Sequence, residues 1–381
     1  MASRVFPLHP QSAAELWETR HRETRRWPAT IRARQLLRLV LCLPYVALAA
    51  WAALRGVRLP ADAELAHAAG ALNGGLGFLE QPRPLALLVA RVLPGAPGSL
   101  AVAGALGAGG LVQLVWERLV RARVPRWLTV LLLVGFAAAP FLWWTALSNL
   151  AGIMGLACLA VAITGTLEFL FGRRTSAGYA AGVSLALAML CEPLAVICVA
   201  ALLVAAPFLA WPRLREEPYS VRSTLAILAF PSVALVGIWA FLEWRFTGAV
   251  AHFPFMPIGA HLGSGVVLSA LGRAGSRVGW NLVCAPIFVL SSLFALRRRA
   301  LAFVAFCVVP AALFVAELLG LHASLVTTVA LMSVLGLVAV PSSPARVHAV
   351  LYATAVPASL IVPLVVMGSA DTGSVLHALG V

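Results

Sequence analysis

Lysine is absent from this chain of 381 residues: all 28 of its basic residues are arginine. Acids are scarce too, 14 in total, so only 11% of the residues are charged and the formal net charge is +14. Such a small charged fraction cannot clothe an ordinary soluble surface. With 61% hydrophobic residues and a mean hydropathy of +0.95, the chain is neither disordered nor an ordinary soluble enzyme. Paired cysteine motifs are missing as well. Cys42, Cys158, Cys191, Cys198, Cys284 and Cys307 each fall in or at the end of an apolar stretch, with no CxxC and no Cys/His cluster. That excludes a disulfide-stapled module and makes them small core residues rather than metal ligands. A cleavable signal peptide is not expected, because the first apolar run starts only near residue 36, behind an Arg-rich arm.

What is present is a series of long apolar runs. A membrane-spanning helix needs about 20 mostly apolar residues. Counting such windows predicts an all-α, polytopic membrane protein with about eleven spans, near 36–54, 97–119, 127–146, 149–171, 177–192, 194–211, 225–244, 280–296, 300–319, 323–340 and 349–367. Loops kept in the cytoplasm are enriched in Arg and Lys. With the N-terminus inside, 21 of the 28 arginines fall on the cytoplasmic side and the acids divide seven and seven. The whole +14 then sits on one face, where anionic headgroups explain it without nucleic acid. This places the chain in the cell membrane with the C-terminus extracytoplasmic. Trp116, Trp127, Trp143, Trp144, Trp211, Trp244 and Trp280 lie near predicted helix ends and read first as interfacial anchors.

Two outer loops are long, about 55–98 and 245–279. In the first, ADAELAHAAGAL predicts a short amphipathic helix starting at Asp62, and RPLALLVARVLPG predicts a second of about 10–12 residues. In the second, the prolines and glycines of AHFPFMPIGAHLGSG preclude a long helix before an amphipathic piece around VVLSALGRAGSRV. Structured loops on a rigid scaffold are where function usually sits. Ionisable residues gather at the same boundary: Asp62, Glu64, Glu192, Glu243 and Glu317. Acids at membrane depth are functional candidates by default, and the alternative is that each is solvated or paired with a neighbouring arginine. His67, His252, His261 and His322 lie on the outer side without HxH or HxxxH spacing, so solvated or hydrogen-bonded histidine is favoured over a metal site.

The layout over roughly residues 36–244 resembles the conserved module of GT-C membrane glycosyltransferases. One span leads to an outer loop bearing an acid, then two short juxtamembrane helices, then tightly packed hairpins. DAELAHAAGALNGG followed by QPRPLALLVARVLPG is similar to the family's first loop, and the stretch from Ser148 to Val196 looks like its third-to-sixth span region. The resemblance implies transfer of a sugar, with inversion, from a polyprenyl-phosphate donor to a glycan, lipid or protein acceptor on the extracytoplasmic face. Asp62 would be the base that takes the acceptor's proton, with Glu64 as its alternative or helper. A carboxylate near a low-dielectric boundary is poised for that role by desolvation. Arg55, Arg58, Arg83 and Arg245 would hold the donor phosphate, since a guanidinium fork can bind two phosphate oxygens at once. Glu192, Asn149, His67 and His261 are candidates to line the cavity.

Two departures stand out. Glu192 occupies the position before proline where many family members carry Arg or Lys, and Asn149 stands where many carry an acid. The expected organisation is an arm at 1–35, the GT-C-like module at 36–244, and a C-terminal part at 245–381. The sequence identifies no cofactor, and a divalent metal is left open. Membrane lipids are partners, and a membrane-protein partner is left open. The competing functions are a non-catalytic GT-C-like subunit that binds lipid-linked glycan or scaffolds an envelope-polysaccharide complex, and a lipid or glycan transporter.

Overall fold

The computed structural model describes residues 30–55, 83–93, 98–172, 175–214, 220–248, 264–298, 300–319, 324–341 and 344–368. Among the described residues every regular element is a helix. In chain order they are α1 (Ile31–Leu54), α2 (Pro84–Val92), α3 (Ser99–Arg121), α4 (Arg126–Ala137), α5 (Pro140–Ser148), α6 (Leu150–Gly172), α7 (Thr175–Cys191), α8 (Leu194–Leu214), α9 (Ser220–Thr247), α10 (Ser264–Cys284), α11 (Pro286–Arg298), α12 (Ala300–Leu318), α13 (Leu325–Val338) and α14 (Arg346–Gly368).

Each apolar window of the sequence coincides with helix, but not every one with a span. Among the described residues, five helices are long and apolar enough to cross a membrane: α1, α3, α6, α9 and α14. Taking the bent pairs α4–α5 and α10–α11 as one span each raises the number to seven, while the apolar parts of α7, α8, α12 and α13 are shorter. The described residues therefore carry five to seven candidate spans, against about eleven counted from hydropathy over the whole chain. α2 is the second short helix expected in the first outer loop, at nine residues. The first of that pair, from Asp62, lies outside the described residues. The amphipathic piece expected in the second loop forms part of the longer α10.

The bends have a local cause. Pro140 and Pro286 each disfavour helical backbone in the alanine before them and cannot donate a backbone hydrogen bond. Accordingly α4 and α5 meet at 47° and α10 and α11 at 88°. At the first bend the Ala137 carbonyl accepts from Tyr45 Oη at 2.7 Å and from Trp143 Nε1 at 2.6 Å, and the two rings lie tilted by 43° with centroids 4.9 Å apart. A carbonyl left open inside an apolar bundle is costly, so these two donors stabilise the break. Trp143 is thus tied to the helix interior rather than acting as a simple interface anchor.

The middle of the bundle is α13, with twelve of its fourteen residues buried against α3, α5, α6, α10 and α11. α1 and α9 lie outermost, with 22% and 17% of their apolar windows buried. Helices approach closely where glycine leaves room: Gly109 of α3 faces Cys42 of α1, and Gly336 of α13 faces the backbone of Phe288 at 2.6 Å from an added Cβ. Successive hairpins run antiparallel, with Gly98 beside Ala53, Gly155 beside Glu192, and Gly165 beside Ala177. One end of the bundle therefore gathers Arg55, Arg83, Asn149 and Glu192, and the other Arg118, Arg121 and Glu168.

Candidate functional site

At the first of these ends, α7 stops at Cys191 because Pro193 cannot continue it, and Glu192 falls in the turn before α8. The turn is closed by Ala195 N donating to the Glu192 carbonyl at 2.9 Å, which turns the side chain into the bundle, where the residue is only 8% exposed. Arg83 is placed by a second proline. Pro84 opens α2, a position whose missing N–H costs nothing, and α2 lies against α6 and α7. The result is an ion pair, Arg83 Nη2 to Glu192 Oε1 at 3.5 Å.

This pair joins two residues that the sequence assigned to different roles. Desolvation by burial pushes the Glu192 carboxyl up, and the Arg83 charge pulls it back down. The contact is a single one, and the Arg83 side chain is 39% exposed against 10% for Glu192. The guanidinium thus keeps donors turned away from the pair, while Glu192 Oε2 is buried without a hydrogen-bond partner among the described residues.

The other candidates are placed differently. Arg55 ends α1 with its guanidinium 5.6 Å from the Trp51 ring, and Arg245 near the end of α9 lies 6.0 Å from the Phe246 ring. Asn149 caps α6: its Oδ1 accepts from Gly152 N at 2.8 Å, and its Nδ2 reaches Thr327 Oγ1 at 3.4 Å. Replacing Asn149 with Ala removes the cap and is expected to cost about 1 kcal/mol, read as a lower thermal midpoint, while Asn149→Asp retains most of it. Asp62, Glu64, Arg58, His67 and His261 lie outside the described residues.

Two further polar contacts lie at this end, one of them the pairing with arginine that the sequence left open for Glu317. Thr328 Oγ1 donates to Asn281 Oδ1 at 2.7 Å between α13 and α10, and Arg277 grips both oxygens of Glu317 at 2.7 and 2.9 Å between α10 and α12. The signal for the second was the presence of Arg273 and Arg277 among the outer-side arginines, and for the first there was none. Glu243 is fully buried in α9. Among the described residues no group of three or more His, Cys, Asp or Glu side chains could hold a metal ion.

Between α6, α8, α11, α12 and α13 lies an apolar cavity of about 130 Å³, lined by Leu159, Ile163, Cys198, Phe288 and Leu331 among others. Cavities of this kind stay dry and accept hydrocarbon. No family model, curated protein or solved structure matches this chain.

Proposed function

We propose that this protein is a glycosyltransferase of the cell membrane that moves a sugar from a polyprenyl-phosphate donor to an envelope acceptor at the extracytoplasmic face, the face that carries Glu192. The observation that carries this reading is the seating of α2. Arg55 ends α1 and Arg83 opens α2 at the same end of the bundle, and Arg83 is fastened there by Glu192. The loop whose sequence contains Asp62 and Glu64 thus leaves from Arg55 and returns at Arg83 on one end of the bundle, the end where the donor phosphate would meet Arg83. The apolar cavity inside the bundle is compatible with a substrate that carries a hydrocarbon chain. In this reading Asp62 or Glu64 removes the acceptor proton, Arg83, with Arg55, Arg58 and Arg245, holds the phosphate, and Glu192 sets the position of Arg83.

The test is reconstitution of the full chain in vesicles with radiolabelled polyprenyl-phosphate sugars and an envelope-lipid extract as acceptor. Label is expected to move from donor to acceptor. Failure to bind or consume any donor in the panel would overturn the reading. A second reading, a lipid or glycan transporter, is favoured by the two broken helices, α4–α5 and α10–α11, a feature of transporter cores. It predicts counterflow of labelled substrate in vesicles lacking donor, which a transferase would not give.

A further inference from the structure

The opposite end of the bundle holds a polar cavity of about 300 Å³ between α3, α6 and α7, lined by Glu117, Arg118, Arg121, Thr164, Glu168 and Ser176 among others. Four of these side chains are ionised, and their pairing is incomplete. Arg121 bridges the two carboxylates, Glu117 at 3.1 Å and Glu168. Glu117 Oε1 is further used by Gln113 Nε2 at 2.9 Å, and Gln113 in turn accepts from Arg38 of α1. Arg118 donates only its Nε, to the Val338 carbonyl at 3.3 Å. Its two terminal nitrogens and Glu168 Oε2 have no hydrogen-bond partner among the described residues, and none of the three is a sealed atom. The cavity thus offers one open cationic fork and one open carboxylate oxygen, facing one space at the mouth of the helices.

We infer that this cavity is a binding site for the headgroup of a zwitterionic phospholipid carrying a primary amine, such as phosphatidylethanolamine, in the leaflet at this end of the bundle. The phosphate would meet the Arg118 fork, which suits two phosphate oxygens, and the ammonium would meet Glu168 Oε2. A site with both charges exposed gains nothing net from a purely anionic headgroup, whose phosphate would be drawn to Arg118 and repelled by Glu168. A choline headgroup carries the positive charge but no N–H to donate, so the carboxylate selects against it. Ser176 and Ala180 of α7, both exposed, form the lipid-facing lip of the cavity. The site is at the end remote from Glu192 and does not rest on the proposed sugar transfer.

The test is native mass spectrometry of the full chain released from vesicles of equal phosphatidylethanolamine and phosphatidylcholine. The wild-type protein is expected to retain the ethanolamine lipid over the choline lipid by about tenfold, the equivalent of one charge-assisted hydrogen bond. Glu168→Gln is expected to bring the ratio to about one. Ser176→Trp, which fills the lip without touching an ion pair, is expected to remove retention of both lipids while the protein keeps its helical content and monodispersity. Equal retention of the two lipids by wild type, or an unchanged preference in Glu168→Gln and Ser176→Trp, would overturn the site. Binding of soluble phosphoethanolamine by lipid-depleted protein with no lipid preference would overturn its assignment to a membrane lipid.

Discussion

Asp62→Asn is expected to reduce sugar transfer by roughly 100-fold to 10,000-fold, the range that one positioned general base contributes. The amide keeps the size and hydrogen-bonding reach of the carboxylate but cannot take the acceptor proton, so the loss should appear in the turnover rate and not in donor binding. Because a base works in its ionised form, wild-type transfer should rise with pH until the carboxylate is fully ionised, and the variant should lack that rise. Glu64→Gln separates the two acids. If Glu64 only orients the acceptor, its loss raises the acceptor KM and leaves the pH profile in place. The measurement is transfer of label in vesicles alongside thermal stability, and full activity of Asp62→Asn with unchanged pH dependence would remove Asp62 from the mechanism. Retained activity in Asp62→Asn combined with loss in Glu64→Gln would transfer the role to Glu64.

Much of the architecture was legible because hydropathy responds to burial in any apolar medium. That same fact limits what hydropathy says about the number of spans. α13 is as apolar as a span, yet it is a fourteen-residue helix at the centre of the bundle, surrounded by five others. Apolar composition alone does not separate a buried core helix from one that faces lipid. The bends at Ala139 and Ala285 were written as X-Pro pairs, but whether a proline kinks a helix by 47° or turns it by 88° depends on which donors satisfy the freed carbonyls, here Tyr45 from 92 residues away.

The site was legible in composition and not in pairing. Arg83 and Glu192 were both singled out, yet their union across 109 residues depends on where α2 is laid, which local pattern does not encode. Glu192 read alone is a charge that repels the donor phosphate. Beside Arg83 it is the partner that fixes a half-exposed guanidinium, so this end of the bundle keeps a cation although the turn itself carries an acid. Asn149 has a role that its position in the sequence did not reveal: it caps α6 through Gly152 N.

Gly104→Ala is expected to leave little folded protein, although the change adds one methyl group. An added Cβ at Gly104 of α3 would overlap the carbonyl oxygen of Ala146 in α5, so no rotamer change can relieve it and the two helices must separate. Overpacking typically costs 1–3 kcal/mol when side chains can adjust, and about that or more when the obstacle is backbone. Ala146→Gly should not rescue the variant, because the carbonyl remains. The neighbouring glycines on the same helix supply the comparison. Gly107 faces the Ile153 side chain at 3.3 Å, a contact a flexible aliphatic group can yield, and Gly110 has nothing within 4 Å. Gly107→Ala should therefore shift the thermal midpoint slightly, and Gly110→Ala should be neutral or stabilising, since alanine is the better helix former by about 1 kcal/mol. A ranking by helix propensity would make all three substitutions favourable, whereas the packing of α3 against α5 and α6 separates them. Midpoints measured in one detergent decide between the two, and a Gly104→Ala protein as stable as Gly110→Ala would mean that α3 and α5 are not in contact at this depth.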